Sequence, residues 1–183
     1  SLEHQKINPN VGLVVNDDIE TYASIFALWL EGLAYVPLHP LQPLERNKEI
    51  IDQADIDLIL VSNEHLGYKE FNTIVTCKLE FDKLKLKPKL VNDDALAYIL
   101  FTSGSTGDPK GVQISRNNIG SFIKSFWETG IMISENDKCL QCFDLTFDVS
   151  IQSYLTPLTR GACAYTVPHN EIKYNYVFGL LDD

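Results

Sequence analysis

The sequence has no long hydrophobic run and no excess of positive charge, and each absence argues against one class of partner. No apolar stretch reaches the roughly 20 residues that a membrane-spanning helix needs. The polar segment 1–6 lacks the apolar core of a signal peptide, so we expect a cytoplasmic protein with no membrane partner. The net charge is −10, whereas nonspecific binding to nucleic acid requires a field of Lys and Arg against phosphate. Nucleic acid is therefore not an expected partner.

One short segment is basic. Residues 78–89 contain five lysines interleaved with leucines and two acidic residues. We interpret the segment as a solvated edge strand or a connector, because lysines on an edge strand discourage strand-to-strand aggregation.

Cysteine is also sparse, with four residues in the chain: Cys77, Cys139, Cys142 and Cys163. Cys139 and Cys142 have the C-x-x-C spacing of redox and zinc sites, but a second pair at zinc spacing is absent. Both lie in a predicted strand, where residues three apart point to opposite faces. We therefore expect reduced, partly buried thiols.

The remaining pattern alternates strands and helices. Apolar runs predict strands at 11–15, 34–38, 58–61, 73–76, 95–101, 111–115, 140–147 and 162–167. Asp17 and Glu20 resemble a capping box before an apolar stripe that reaches Leu33, and Pro43 can start a second helix that runs to about Ala54. Two further helices show apolar faces, at 119–127 and 151–158. The sequence therefore predicts a layered α/β fold with a largely parallel sheet flanked by helices.

The end of the chain begins another helical stripe. Tyr176, Val177, Leu180 and Leu181 have helical spacing, and the sequence stops at Asp183. We expect a fold that is cut here, with uncovered apolar surface and a tendency to self-associate.

A glycine- and hydroxyl-rich loop follows the predicted strand 95–101. Glycines let successive backbone N–H groups converge on an anion, and open α/β sheets bind ligands where strands end. A turn that merely joins two strands is the simpler alternative. The Walker A pattern G-x-x-x-x-G-K-[ST] cannot be placed on the loop. The groups that suit a phosphate site are Thr102, Ser103, Ser105, Thr106, the glycines 104, 107 and 111, and Lys110.

Three segments carry a family resemblance. Residues 98–112, YILFTSGSTGDPKGV, resemble the phosphate-loop signature of the adenylate-forming superfamily, which includes acyl-CoA synthetases, luciferases and the adenylation domains of nonribosomal peptide synthetases. Residues 33–38, LAYVPL, resemble the family's structural "GGAYVPL" strand. Residues 147–150, FDVS, resemble the "FDxS" element of amino-acid adenylation domains. The resemblance covers nearly the whole chain.

The resemblance implies roles for two sets of residues. The ATP phosphates would be held by Thr102, Ser103, Gly104, Ser105, Thr106, Gly107 and Lys110. Asp148 would bind the α-ammonium group of an amino acid, with Val149 and Gln152 lining its side-chain pocket. Such a substrate is typical of peptide-synthetase domains and D-alanine–carrier-protein ligases. By position alone Asp148 is an N-cap candidate, although Ser150 could cap the helix and leave Asp148 free.

The sequence also departs from the family pattern at some positions. Asp108 and His39 stand where the family commonly has Lys and Asp, and we assign His39 no role. The family's ribose-binding Asp, Mg²⁺-binding Glu and catalytic Lys have no counterpart here. We interpret residues 1–183 as part of the large N-terminal, AMP-binding domain, without the C-terminal domain and inactive alone.

The parent reaction implied is carboxylate plus ATP giving acyl-adenylate and pyrophosphate, with Mg²⁺, followed by transfer to a carrier-protein thiol. The alternatives are a catalytically silent nucleotide-binding or interaction module, and a parent protein that is an acyl-CoA synthetase. A small ATPase of another type is the least favoured.

Overall fold

A computed structural model of the chain describes residues 8–63, 66–80, 87–103, 109–167 and 173–181. Within these ranges the main sheet has six strands in the order β4-β3-β1-β2-β5-β6. The strands are β1 (Asn10–Val14), β2 (Ala34–Leu38), β3 (Ile59–Val61), β4 (Thr73–Val75), β5 (Leu96–Ser103) and β6 (Pro109–Ser115). Neighbouring strands are parallel except β5 and β6, which form an antiparallel pair. The predicted α/β fold with a largely parallel sheet is confirmed.

Helices connect the strands and cover the sheet. They are α1 (Ile19–Leu30), α2 (Leu44–Gln53), α3 (Arg116–Glu128), α4 (Val149–Leu158) and α5 (Lys173–Leu181), with short 3-10 turns at Leu66–Tyr68 and Thr76–Lys78. Two more strands, β7 (Lys138–Gln141) and β8 (Cys163–Thr166), pair in parallel through the α4 crossover. No helix in the described ranges is both long and apolar enough to cross a bilayer.

The central strands β1, β2 and β3 are buried on both faces of the sheet, since their alternate residues point to opposite sides and nearly all of them are buried. Val11, Leu13 and Tyr35 pack in one apolar cluster with residues of α1 and α4. Val14 and Val36 pack in a second cluster with residues of α2. The continuous apolar runs at β1 and β2 follow from this double burial.

Helix α1 begins one residue later than the capping-box pattern predicts. Asp18, not Asp17, is the N-cap, and its side chain accepts a hydrogen bond of 2.9 Å from the backbone N–H of Thr21. Asp17 instead takes a positive φ of 54° and accepts a hydrogen bond from the hydroxyl of Tyr22. Asp tolerates this left-handed conformation better than most residues, which places it in the turn before the helix.

The predicted extended segment 140–147 is wrong beyond Gln141, where β7 ends. A turn replaces it, because the Asp144 carboxylate accepts hydrogen bonds of 2.8 Å from both the backbone N–H and the hydroxyl of Thr146. Such local side-chain bonds compete with a strand ladder. The turn leads directly into α4.

The remaining segments agree with the sequence in part. Cys139 and Cys142 are partly buried, whereas Cys77 and Cys163 are exposed. In the basic segment, residues 79–80 and 87–89 are exposed and belong to no strand, and 81–86 lie outside the described residues. Lys89 forms a 2.7 Å ion pair with Glu31 at the end of α1. The described ends of the segment fit the connector interpretation.

Candidate functional site

The phosphate loop joins β5 to β6. Thr102, near the end of β5, lies opposite Lys110 on β6 in the antiparallel register. Opposite residues of an antiparallel pair share a face, so these two exposed side chains stand side by side at the base of the loop. Residues 104–108 lie outside the described residues, and of Ser103 only the backbone is described. The predicted phosphate ligands Gly104, Ser105, Thr106 and Gly107 therefore stay predictions.

Gly111 does not supply the backbone freedom that the sequence pattern suggests. It lies within β6 opposite Phe101, and its φ is outside the positive range. A Cβ at this position would come within 3.0 Å of the Phe101 ring. The glycine therefore makes room for an aromatic side chain beside the loop.

A cavity of ≈ 480 Å³ opens beside this hairpin; we call it the strand-end cavity. Thr102 lines it from β5, His39 from the end of β2, and Asp144 and Asp148 from the turn before α4. Because β2 and β5 are parallel, the residues that follow β2 lie at the same edge of the sheet as the phosphate loop. This edge is where open α/β sheets bind ligands.

A second cavity of ≈ 390 Å³ lies between α3 and α4; we call it the helix pocket. It contains all three predicted substrate residues, Asp148, Val149 and Gln152. Asp148 and Ile114 line both cavities. Asp148 therefore stands where the helix pocket meets the strand-end cavity.

Six residues that line the helix pocket are missing from the sequence-based prediction, and three of them carry polar or aromatic side chains. Asn118 and Phe122 reach it from α3, and Tyr98 from β5. The sequence pattern places Phe122 only on an apolar helix face. Helical periodicity does not show that this face overlooks a pocket, because the opposing wall comes from residues that follow in a separate helix.

Asp148 occupies the N-cap position of α4 without acting as a cap. Its backbone is already helical, and its side chain makes no capping hydrogen bond. Ser150 does not take over that task either, since its hydroxyl donates to the carbonyl of Phe147 at 2.6 Å. The Asp148 side chain is exposed at the junction of the two cavities. The carboxylate thus makes no capping bond to α4 and lines both cavities.

The charge of Asp148 acts on its neighbour Tyr98. Burial, and secondarily the negative charge of Asp148, raise the pKa of Tyr98 to about 12. The phenol is therefore protonated at neutral pH. It provides a neutral hydroxyl beside an anionic carboxylate in the helix pocket.

His39 and Asp144 form a bridge inside the strand-end cavity, with 2.7 Å between His39 Nε2 and Asp144 Oδ2. Partial burial alone would raise the pKa of Asp144. Hydrogen bonds from His39 and from Thr146 outweigh burial and hold that pKa well below its usual range. Asp144 is therefore ionised at neutral pH.

The family resemblance implies a Mg²⁺ ion. The side chains of the described residues do not form a site for this ion. Among the described residues, no group of three or more His, Cys, Asp or Glu side chains is arranged to hold a metal ion. These residues do not fit a magnesium site by themselves, and we assign the ion no step.

Sequence relatives agree with the resemblance. The chain is 32% identical over 180 residues to a plipastatin synthase from Bacillus subtilis (strain 168), a match that covers 94% of the chain and 5% of that protein. It is 35% identical over 172 residues to a ferrichrome siderophore peptide synthetase from Mycosarcoma maydis, a match that covers 90% of the chain and 4% of that protein. The chain thus spans a small part of each of these relatives.

Solved structures share the fold. A four-domain nonribosomal peptide synthetase bound to AMP and glycine matches 98% of the chain and 14% of its own length, with a TM-score of 0.82 and 26% identity. The N-terminal subdomain of NpsA from Klebsiella oxytoca matches 95% of the chain and 44% of its own length, with a TM-score of 0.80 and 22% identity. A family model described as AMP-binding enzyme matches residues 2–181. The chain belongs to the AMP-binding enzyme family.

Proposed function

We propose that this chain is part of an ATP-dependent ligase that activates an amino acid as its adenylate. In that reaction a carboxylate oxygen attacks the α-phosphorus of ATP, the bond to the β-phosphate oxygen breaks, and pyrophosphate leaves. The aminoacyl group then passes to a thiol, for which we propose a carrier protein. Residues 1–183 would contribute the phosphate loop and one side of the amino-acid pocket, within an AMP-binding domain that extends beyond them.

One observation carries the proposal: the side chain of Asp148 makes no capping bond to the helix that it precedes. An exposed carboxylate at a helix start normally accepts backbone N–H groups, and this one does not. It stands instead between the pocket that Val149 and Gln152 line and the cavity that Thr102 lines. An α-ammonium group bound there would gain a charge-assisted hydrogen bond and place its own carboxylate toward the strand-end cavity.

The phosphate loop supplies the second half of the proposed site. Lys110 and the hydroxyl of Thr102 stand at its base, on the edge of the sheet that Asp148 also faces. A lysine and hydroxyls near the leaving pyrophosphate would stabilise developing charge. The chain's contribution to rate would be positioning of the two substrates rather than covalent chemistry.

The decisive experiment titrates the 183-residue chain with amino acids and with their 2-hydroxy-acid counterparts, followed by NMR. The two ligand series differ in the ammonium group alone, so we expect the amino acid to bind more tightly and Asp148→Asn to remove the difference. ATP–pyrophosphate exchange, measured in parallel, should be absent for this chain and present once the remaining part of an adenylation domain is joined to it.

Two results would redirect the proposal. Equal affinity for amino and hydroxy acids would favour an acyl-CoA synthetase type of parent, which needs no ammonium contact. Binding of ATP without any carboxylate ligand would favour a silent nucleotide-binding module.

A further inference from the structure

His39 lies at the end of β2 and reaches the turn that carries Asp148. Its Nε2 atom lies 2.7 Å from Asp144 Oδ2, and both side chains are largely buried, with relative exposures of 19% and 22%. The two residues are far apart in the sequence. The contact therefore ties the 144–148 turn to the main sheet.

Both ring nitrogens of His39 are engaged. The backbone N–H of Leu41 donates to Nδ1 at 3.0 Å, so Nδ1 is an acceptor and Nε2 carries the proton. That proton is donated to Asp144. This arrangement leaves no ring nitrogen to accept a substrate proton, which argues for a positioning role rather than acid–base chemistry.

Asp144 connects His39 to the rest of the turn through hydrogen bonds. Its Oδ2 atom faces His39, while its Oδ1 atom accepts from the backbone N–H and the hydroxyl of Thr146. Its carbonyl oxygen accepts the N–H of Phe147 at 3.0 Å. The carbonyl of Asp148 accepts the N–H of Ile151 at 3.0 Å. A chain of hydrogen bonds therefore runs from β2 through the turn to the first turn of α4.

The pair is matched as donor and acceptor. The Nε2–H of His39 donates to the ionised carboxylate of Asp144, whereas a carboxylate at position 39 would place a like charge beside Asp144, which is unfavourable.

We propose that His39 and Asp144 are positioning residues for the amino-acid substrate. Their bridge holds the turn so that the Asp148 carboxylate faces the ligand's ammonium group at the junction of the two cavities. This inference rests on the proposed function, since it needs Asp148 to bind an ammonium group. The His39–Asp144 bridge would act by holding Asp148 in position, without contact to the ligand.

The test uses two measurements on the 183-residue chain and its variants. The first is amide hydrogen exchange by NMR, which reports how firmly the turn is held. The second is the ratio of affinities for glycine and glycolate, which differ in the ammonium group and fit a pocket of any size. The variants are His39→Ala, His39→Gln and Asp144→Asn, with Lys48→Ala as the matched control because it removes the exposed Lys48–Glu70 pair at 3.7 Å.

We expect His39→Ala to speed exchange at Phe147 and Ile151 by about fivefold or more, as local opening becomes easier. Exchange at Gly12, in the centre of the sheet, should not change. The glycine-to-glycolate affinity ratio should fall about tenfold, because the Asp148 carboxylate would no longer be oriented toward the ammonium group. His39→Gln should restore both values, since its amide N–H can reach Asp144, and Lys48→Ala should leave both unchanged.

Two results would overturn the inference. Unchanged exchange in His39→Ala would show that the bridge does not hold the turn, whether or not glycine binds. Faster exchange with an unchanged affinity ratio would show a purely structural bridge. If glycine and glycolate bind the unaltered chain equally, the proposed function fails together with the substrate part of the inference, while the exchange data still decide whether the bridge positions the turn.

Discussion

Thr102 and Asp148 face one cavity but are held in place by different kinds of structure. Thr102 belongs to the β5–β6 hairpin, where an unbroken ladder runs from Tyr98 opposite Ile114 to Ser103 opposite Pro109. Asp148 follows a turn that is tied to the sheet through the His39–Asp144 bridge. The phosphate side of the site is thus held by a strand ladder, whereas the amino-acid side is held by the bridge, by hydrogen bonds within the turn and by the buried side chain of Leu145.

This difference has a physical consequence. A ladder spreads its stability over many hydrogen bonds, each worth about 0.5–1.5 kcal/mol net, so the loss of one is tolerated. The turn before Asp148 has no such ladder, and the His39–Asp144 bridge joins it to the end of β2. We therefore expect substitutions near Asp148 to change ligand discrimination strongly, and substitutions near Thr102 to act more gradually.

The largest expected effect comes from Asp148→Asn. The variant removes the charge that would pair with the ammonium group, so amino-acid affinity should fall about 10- to 100-fold, the loss of a hydrogen bond to a charged group. Stability should hardly change, because the side chain makes no capping bond. Isothermal titration with the amino acid, and urea unfolding, measure the two quantities.

Asp18→Ala is the matched control, because Asp18 is an N-cap aspartate that does accept a backbone N–H. Its loss should lower the free energy of unfolding by about 1 kcal/mol and leave amino-acid affinity unchanged. If Asp148→Asn costs as much stability as Asp18→Ala and leaves affinity intact, Asp148 is a structural residue.

A second prediction tests the hairpin through Gly111. A Cβ there would meet the Phe101 ring at 3.0 Å, so Gly111→Ala should lower the free energy of unfolding by about 1–2 kcal/mol through overpacking. Gly120→Ala on α3 is the control, because a Cβ at that position meets nothing within 4 Å. It should stabilise the chain by about 0.5–1 kcal/mol through helix propensity. A stabilising Gly111→Ala, seen in urea unfolding, would show that the ring moves aside freely.

The same contrast explains what the sequence can predict. The strands β1, β2 and β5 and the stripes of α1 and α4 follow from local hydrophobic spacing. Their predictions are confirmed within one or two residues, except that α1 ends at Leu30 and not at Leu33. The hairpin that carries Thr102 and Lys110 is also a local feature. Local patterns are visible in sequence because the interacting residues are neighbours in the chain.

The prediction for the turn before α4 is wrong because the cause of the turn is not local. The segment 140–147 is apolar enough for a strand, but the Asp144 side chain bonds to Thr146 and to the distant His39. The sequence around His39 indicates no role for it, since nothing near it points to Asp144 as a partner. Tyr98 and Asn118 escape prediction for the same reason: their pocket forms only when β5, α3 and α4 are packed together.

A smaller effect is expected on the phosphate side. Lys110→Ala should weaken ATP binding about fivefold, the scale of one exposed ion pair, because hydroxyls and backbone N–H groups of the loop remain. Lys124→Ala removes an exposed lysine from α3 and should leave ATP affinity unchanged. Equal losses in both variants would indicate a general effect of net charge rather than a contact at the loop.

The smallest effect concerns acid stability, and it compares two aspartates that both accept hydrogen bonds in turns. The pKa of Asp144 is held below its usual range, so its contribution to stability is present above the unfolded value of about 4 and is lost as the pH falls below it. Urea unfolding at several pH values between about 2 and 5 should therefore show a shallower pH dependence for Asp144→Asn than for the unaltered chain.

Asp137 is the control that distinguishes the contribution of the His39 contact from that of hydrogen bonds within a turn. Hydrogen bonds from the backbone and hydroxyl of Ser134 lower the pKa of Asp137 as well, but the residue is exposed and its bonds are local. Asp137→Asn should therefore shift the pH dependence in the same direction and by less. If the two variants behave alike, hydrogen bonds within the turn account for the low pKa of Asp144. The contact with His39 would then add little to holding Asp148 in place.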